Sequence, residues 1–195
     1  MNLVNYHIDK SWTLFLDRDG VINRRIKDDY VKSIAEFVFL EKVPESLEKL
    51  TKLFGRIFIV TNQQGVGKGL INLSDLQIIH TFMLNEIEKA GGKIDQVFFC
   101  PELNETNHPD RKPQIGMALK AKGEFPEIDF SKSIMVGDSI SDIEFGKNAG
   151  MRTVFVSAKH KKNDEIGVDA ICVSLSNFTD LIINKHSSII NNHSS

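Results

Sequence analysis

Short apolar runs alternate with longer segments of helical periodicity along most of the chain. The runs are continuously apolar rather than apolar at every second residue, a pattern typical of strands buried on both faces of a parallel sheet. Six such strands are predicted, at residues 12–17, 56–61, 96–100, 133–138, 153–156 and 170–173.

The segments between these runs carry apolar side chains on one helical face. Pro44 opens the first predicted helix, with Leu47 and Leu50 at helical spacing. Ser74 and Ser141 are the expected N-caps of two later helices. The other predicted helices lie at residues 74–90, 114–123, 141–149 and 175–184. This alternation of strands and helices predicts an α/β fold with helices on both faces of a parallel sheet.

Polar side chains follow several of the predicted strands, at the point where each strand ends. Asp17 and Asp19 follow the first strand, Thr61 the second and Asp138 the fourth. Taken alone, Asp-x-Asp-Gly is also a common turn, and Asp138 fits an acid favoured at a helix N-terminus. Because ligands bind beyond the carboxyl ends of the strands in such sheets, the coincidence of these residues at one edge favours a functional site.

Composition is that of an ordinary globular protein. The 195 residues are 41% apolar and 26% charged, with a formal net charge of −2. The chain can therefore bury a core, and it shows no polycationic surface for nucleic acid. Two cysteines are too few for a disulfide framework, and no apolar stretch is long enough to span a bilayer. We expect a cytoplasmic monomer, with residues 1–185 as one domain and residues 186–195 as a disordered tail.

Four motifs meet at the polar edge: Asp17-Arg18-Asp19, Thr61-Asn62-Gln63, Arg111-Lys112-Pro113, and Asp138 followed by Asp142. In this order and on these strands, the motifs resemble those of the haloacid dehalogenase (HAD) superfamily of phosphotransferases, over about residues 12–157. The resemblance implies a three-layer Rossmann-like fold with a mostly parallel central sheet, and the chain has no insertion long enough for a large cap domain. Two acids in the first motif imply a phosphatase rather than a dehalogenase.

The chemistry of phosphoryl transfer agrees with that resemblance, since it needs a nucleophile, a proton donor and fixed positive charge. Asp17 would attack phosphorus and form an aspartyl-phosphate. Asp19 would protonate the leaving alcohol and then take a proton from the hydrolytic water. Thr61 would donate a hydrogen bond to a phosphate oxygen, and Lys112 would neutralise its charge.

A magnesium ion is expected between the acids and the phosphate, because a carboxylate cannot approach an anionic phosphate unaided. The expected protein ligands are the side chains of Asp17 and Asp138 and the main-chain carbonyl of Asp19. Asp142, one helical turn past Asp138, would hold Lys112 or a metal-bound water.

Within the superfamily, the motifs resemble those of the branch that contains the heptose-1,7-bisphosphate and histidinol-phosphate phosphatases. Asn23 and the glycine-rich segment 65–69 favour a heptose 1,7-bisphosphate that loses its 7-phosphate, with histidinol phosphate as the alternative substrate. Asn62 and Gln63 also fit a simple turn. The residues predicted to bind the small phosphorylated substrate are Arg18, Asn62, Gln63, Lys68, Arg111 and Asp142.

One departure from that branch falls on the loop before Arg111. Its members usually hold a structural zinc there through Cys-x-His and Cys-x-Cys. This chain has Cys100, Glu102, His108 and Asp110 at the corresponding places. Each of these residue types can bind zinc, but structural zinc sites prefer thiolates and imidazoles. The sequence therefore favours a proline-rigidified loop without zinc.

A non-catalytic phosphosugar-binding domain is the alternative from a different class of function. Such a domain would be expected to have lost at least one charged residue of the four motifs. The chain retains Asp17, Asp19, Lys112 and Asp138, so the sequence favours an enzyme.

Overall fold

A computed structural model describes residues 6–158 and 167–192 of the protein, with side chains up to residue 184. The strands are β1 (Thr13–Leu16), β2 (Arg56–Asn62), β3 (Gln96–Cys100), β4 (Ser133–Gly137), β5 (Arg152–Val156) and β6 (Ala170–Cys172). The helices are α1 (Val43–Leu53), α2 (Gln64–Gly67), α3 (Leu73–Lys89), α4 (Gly116–Glu124), α5 (Ile140–Ala149) and α6 (Leu175–Asn192).

The strands form one parallel sheet in the order β3-β2-β1-β4-β5-β6. The predicted α/β fold with a parallel central sheet is therefore confirmed. β1 lies in the middle, and the chain winds from it first toward β3 and then, after β4, toward β6. The direction of winding changes between β1 and β4, and ligands bind in the crevice that such a change leaves at the carboxyl ends of the strands.

Side chains of each strand alternate between two apolar layers. In β1, Leu14 and Leu16 belong to the layer that contains side chains of α1, α3 and α6. Phe15, between them, packs in the opposite layer with side chains of α4 and α5. All three are completely buried. This double coverage explains why the strands are apolar at every position, and it fixes where β1 ends and Asp17 begins.

The ends of three helices differ from the sequence prediction. α3 is capped by Asn72, which accepts from the Asp75 N–H, rather than by Ser74. α5 is capped by Ser139 rather than Ser141, because Ser139 shares a reciprocal capping box with Asp142. α6 continues to Asn192, so the predicted tail at 186–195 is helical up to that residue and residues 193–195 lie outside the described chain. No helix in the described ranges is long and apolar enough to cross a membrane.

Candidate active site

The first two acids of the site follow strands that neighbour each other at the change of winding. Asp17 comes directly after β1 and Asp138 directly after β4. The Asp17 N–H donates to the Val136 carbonyl at 2.9 Å, which extends the pairing of β1 and β4 by one residue. The two acidic motifs, more than a hundred residues apart in sequence, therefore meet at the predicted edge.

Lys112 joins two of the acids below this edge. Its Nζ lies 2.7 Å from Asp17 Oδ1 and 2.6 Å from Asp142 Oδ1, and it also donates to the Val60 carbonyl at 2.7 Å. All three charged side chains are buried. Because the other Asp142 oxygen accepts from Ser139, the Asp142 carboxylate is fully engaged in holding Lys112 and the start of α5. Of the two predicted roles for Asp142, the geometry supports the one of holding the lysine.

Burial makes the charges of this cluster interdependent. Desolvation and the neighbouring Asp142 charge raise the pKa of Asp17 to about 6, against the opposing effect of Lys112. Desolvation lowers the pKa of Lys112, but the two carboxylates outweigh it and leave that pKa raised. Lys112 is therefore a permanent cation beside Asp17.

The backbone of Lys112 is fixed by a side chain from the second strand. Asn62 donates to the Lys112 carbonyl and accepts from the Lys112 N–H, each at 3.0 Å. This pair of bonds ties the loop before α4 to the end of β2. Asn62, predicted as a substrate contact, also lines two adjoining cavities at the site, so it both positions Lys112 and faces the space for a ligand.

Asp19 is held in one orientation by three neighbours. Arg18 Nη2 donates to both of its oxygens, at 3.0 and 2.8 Å, and Asn23 and Gln63 donate to one oxygen each at 2.8 Å. Desolvation favours the neutral acid, but the charge of Arg18 and these hydrogen bonds outweigh it and lower the pKa of Asp19. Gln63 Nε2 also donates to Thr61 Oγ1 at 2.9 Å, so it links the second motif to the first.

Two predicted substrate contacts are corrected by this arrangement. Arg18 and Gln63 are 0% and 2% exposed, and their polar ends are directed at Asp19 rather than into the cavity. The chain bends at Arg18 directly after β1, and this bend directs Arg18 inward while Asp17 and Asp19 line the smaller cavity. Both residues therefore orient Asp19.

His80 is a partner of the site that the sequence did not reveal. It lies on the buried face of α3, and Arg18 Nη1 is 3.1 Å from its Nε2. Desolvation and the adjacent guanidinium lower the pKa of His80 to about 3, so the ring is neutral and its Nε2 accepts from Arg18. A histidine within an apolar helical face carries no sequence signal of this contact.

Arg25 is a second residue that the sequence analysis missed. Its Nη2 donates to Asp138 Oδ1 at 2.8 Å and lies 3.8 Å from Asp17 Oδ2. Desolvation and the charge of Asp17 raise the pKa of Asp138 to about 7 despite this arginine. The Asp138 carboxylate also packs closely against the backbone of Gly20. A Cβ added at Gly20 would lie 2.0 Å from Asp138 Oδ2, so only glycine leaves room for it.

The acids of this edge fit a hard divalent cation. Among the described residues, one oxygen from each of Asp17, Asp138 and Asp142 falls in a group within 4.8 Å. Burial and neighbouring carboxylates raise the pKa of both Asp17 and Asp138, although Lys112 and Arg25 partly offset the negative charge. An all-oxygen set with excess negative charge is the environment that Mg²⁺ prefers. Since Asp142 is committed to Lys112 and Ser139, Asp17 and Asp138 are the side chains that could hold it.

Two cavities open at this edge and share Asp19, Arg25 and Asn62 in their walls. The smaller, about 230 Å³, lies over Asp17, Thr61 and Lys112. The larger, about 480 Å³, extends toward the loop 26–31 and Lys68. The two cavities therefore adjoin at these three residues and together form the binding region.

The two remaining predicted substrate contacts lie in different parts of this region. Arg111 lines the smaller cavity and donates to the Glu102 carbonyl at 3.0 Å. Lys68 lines the larger cavity, where its Nζ lies 5.5 Å from the centre of the Tyr30 ring. Both cations therefore border the space for a ligand.

The loop considered for zinc brings only some of its candidates together. Cys100 Sγ is 3.9 Å from His108 Nδ1, which is 3.8 Å from Asp110 Oδ2. Asp110 instead pairs with Lys120, and Cys100 is completely buried, so its thiol pKa is raised. Glu102 contributes its main-chain carbonyl to Arg111. In the described chain, these four side chains do not converge as the three aspartates do.

Comparisons with known proteins agree with the fold and show the family. The family model described as HAD-hydrolase-like matches residues 110–177. The D-glycero-alpha-D-manno-heptose-1,7-bisphosphate 7-phosphatase of Mycobacterium tuberculosis strain CDC 1551 is 41% identical over 137 residues, which cover 70% of this chain and 72% of that protein. The protein of the same name from Campylobacter jejuni is 39% identical over 156 residues, covering 80% and 88%.

Solved structures give the same relationship. The crystal structure of the D,D-heptose 1,7-bisphosphate phosphatase from B. bronchiseptica, complexed with magnesium and phosphate, has a TM-score of 0.81 at 27% identity. The match covers 89% of this chain and 99% of that one. The corresponding enzyme from Burkholderia thailandensis has a TM-score of 0.59 at 29% identity, covering 86% and 96%.

Proposed function

The chain belongs to the HAD superfamily and is a phosphatase, and from that premise we propose that it removes the 7-phosphate of D-glycero-D-manno-heptose 1,7-bisphosphate. The names of the relatives from Mycobacterium tuberculosis and Campylobacter jejuni support this substrate. The observation that carries the proposal is the buried Asp17–Lys112 pair at the floor of a cavity where Asp19 is held in a fixed orientation.

Asp17 acts as the nucleophile. Lys112 holds its Oδ1, so Oδ2 is the oxygen left to attack phosphorus in line with the leaving sugar oxygen. The attack forms an aspartyl-phosphate and breaks the bond from phosphorus to that oxygen, which takes up a proton. Lys112 stays positively charged throughout and offsets the negative charge that collects on the phosphoryl oxygens.

Asp19 transfers the protons. In the resting enzyme it is a carboxylate, the form that takes a proton from water when the aspartyl-phosphate is hydrolysed. An arriving phosphate dianion raises the pKa of a neighbouring acid by like-charge repulsion, so substrate binding favours the protonated form that the first step needs. Arg18, Asn23 and Gln63 keep the carboxylate pointed at the same place in both steps.

The remaining polar groups of the small cavity bind the reacting phosphate. Thr61 Oγ1 accepts from Gln63, so its hydroxyl hydrogen is left to donate to a phosphate oxygen. Asp17, Asp138 and the Asp19 carbonyl would hold Mg²⁺, which supplies positive charge between the acids and the phosphate when bound.

The test is phosphate release from a panel of substrates by purified protein with Mg²⁺. The panel holds heptose 1,7-bisphosphate, heptose 1-phosphate, heptose 7-phosphate and histidinol phosphate. We expect the highest kcat/KM for the bisphosphate, with one phosphate released per molecule and heptose 1-phosphate as product. A preference for histidinol phosphate would overturn the substrate proposal.

A pair of variants tests the nucleophile in the same assay. Asp17→Asn should lower turnover by at least about 10⁴-fold, a typical loss when a nucleophile is removed. Asp129→Asn is the matched control, because Asp129 caps a turn before β4, at the opposite edge of the sheet. Wild-type turnover by Asp17→Asn would overturn the mechanism.

A further inference from the structure

Arg25 reaches the site from a segment whose main chain is fixed. The preceding residues pair with a neighbouring segment, since the Arg24 N–H donates to the Val38 carbonyl at 2.8 Å and Asn23 forms a bridge with Phe39. From this anchored backbone, the Arg25 side chain extends across the opening of the site to Asp138. The fold therefore fixes where the backbone near Arg25 lies, and the long side chain can reach more than one partner.

The guanidinium is held by carboxylates alone. Its ion-pair partners on the described chain are Asp138 at 2.8 Å and Asp17 at 3.8 Å. The side chain is 50% exposed, so packing does not hold it in place. Because half of the arginine side chain meets water, this ion pair is weaker and more readily exchanged than a fully buried one.

The same carboxylates belong to the group that fits a divalent cation. Asp138 Oδ1 accepts from Arg25, and Asp17 and Asp138 are the side chains available to a metal. A guanidinium and a divalent cation repel each other and compete for the negative charge of these two side chains. Binding of the metal therefore weakens the hold of Asp138 and Asp17 on Arg25.

The larger cavity is the space into which the released side chain can turn, because Arg25 already forms part of its wall. The other charged residues in that wall are Asp19, Asp28, Asp29 and Lys68. Asp29 pairs with Lys32 at 2.7 Å, and Asp19 is neutralised by Arg18. Among the described residues Asp28 has no ion-pair partner, so without Arg25 an anion in this cavity would meet Lys68 together with the negative charge of Asp28. Arg25 adds the positive charge that favours a phosphate there.

We propose that Arg25 is an exchangeable counter-ion: it neutralises Asp138 and Asp17 in the metal-free enzyme, is displaced by the divalent cation, and then binds the substrate phosphate that is not hydrolysed. The second half rests on the proposed bisphosphate substrate, whose two phosphates would lie in the two adjoining cavities. The planar fork of an arginine suits bidentate contact with a phosphate. The exchange links metal binding to substrate binding, since the metal that binds Asp17 and Asp138 also releases Arg25 for the second phosphate.

The first experiment measures metal binding without turnover. Mn²⁺ and Mg²⁺ are titrated calorimetrically into the metal-free wild type, Arg25→Gln and Arg24→Gln. Arg24 is the matched control, because it is a neighbouring exposed arginine that lines none of these cavities. We expect Arg25→Gln to bind the metal about two- to fivefold more tightly than Arg24→Gln, the range for loss of a competing ion pair at a partly exposed site. Equal or weaker binding by Arg25→Gln would overturn the exchange.

The second experiment compares substrates with one and two phosphates. Arg25→Gln should lower kcat/KM for heptose 1,7-bisphosphate, chiefly through KM, by about 10- to 100-fold more than for p-nitrophenyl phosphate. Arg24→Gln should leave both values near those of the wild type. Equal losses for the two substrates would overturn the contact with the second phosphate. If the wild type hydrolyses only monophosphates, the substrate proposal and this contact fail together, while the calorimetric titration still decides the exchange.

Discussion

Lys112 Nζ lies 2.7 Å from Asp17 Oδ1, and both groups are buried at the end of the central strand. The ammonium also contacts Asp142, so one cation offsets two carboxylates that are almost completely buried beside the smaller cavity. Such a cluster is stable only when each buried charge keeps its oppositely charged partner, because a buried charge without one retains its full desolvation cost. Lys112, which stabilises the reacting phosphate in the proposed mechanism, thus also contributes to the stability of the fold.

Replacing Lys112 with Met should therefore damage both stability and activity. We expect the free energy of unfolding to fall by about 3–5 kcal/mol, the range for breaking a buried ion pair, and turnover to be lost. Urea denaturation at pH 7.5 gives the first quantity and phosphate release the second. The double variant Lys112→Met/Asp142→Asn removes one of the stranded charges, so it should regain part of the stability and none of the activity. A stable, active Lys112→Met would contradict both roles.

Removal of divalent cations should stop the reaction and lower the melting temperature. Burial and neighbouring carboxylates raise the pKa of Asp17 and Asp138, and a bound cation stabilises the charged form of both. At a free Mg²⁺ concentration of about 100 times Kd, binding adds about 2.7 kcal/mol to stability. Thermal denaturation and turnover are measured in EDTA and again after Mg²⁺ is restored. Unchanged turnover in EDTA would rule out the metal.

Gly20 should tolerate no side chain. Its φ of +101° disfavours any other residue, and an added Cβ would meet Asp138 Oδ2 at 2.0 Å. Gly20→Ala should cost about 1–3 kcal/mol of strain and should weaken Mg²⁺ binding and turnover by displacing the Asp138 carboxylate.

Gly150→Ala is the matched control for that variant. Gly150 has a φ of +82° at the end of α5, and an added Cβ there meets no atom within 4 Å. It should therefore lose a similar amount of stability and keep its turnover. Equal turnover in the two variants would show that the Asp138 contact is unimportant.

The residues that the sequence could identify are those at the ends of apolar strands. Asp17 and Asp138 are next to runs that can only be buried strands, so the parallel sheet brings them together whatever the loops do. Arg25 could not be identified in this way, because its contact with Asp138 depends on the path of the loop 24–39. The sequence of such a loop has no hydrophobic periodicity and no strand end that would indicate where its side chains point.

Arg18 shows a different limit, because the sequence does not reveal how the chain bends after β1. That bend turns Arg18 away from the cavity that Asp17 and Asp19 line. A charged residue is assigned to the surface by default because burial of a lone charge is costly. Here Asp19 and a neutral His80 offset that cost, and a histidine on an apolar helix face gave no sign of doing so.

His80 should make the stability of the protein depend on pH in a defined direction. Burial and Arg18 lower its pKa to about 3 in the folded protein, from about 6.5 in the unfolded chain. Below pH 6.5 the unfolded chain binds a proton that the folded protein does not, so this contribution to stability is complete above that pH and decreases as the pH falls. Between pH 8 and pH 5 the stability lost in this way is about 2 kcal/mol.

The variant His80→Gln keeps an acceptor for Arg18 but cannot titrate, so its free energy of unfolding should fall by about 2 kcal/mol less than that of the wild type over that range. Urea denaturation of both proteins at pH 8, 6.5 and 5 measures it, and carboxylates common to the two cancel in the comparison. Parallel pH curves would mean that the ring takes up its proton in the folded protein as readily as in the unfolded chain, and that Nε2 does not accept from Arg18.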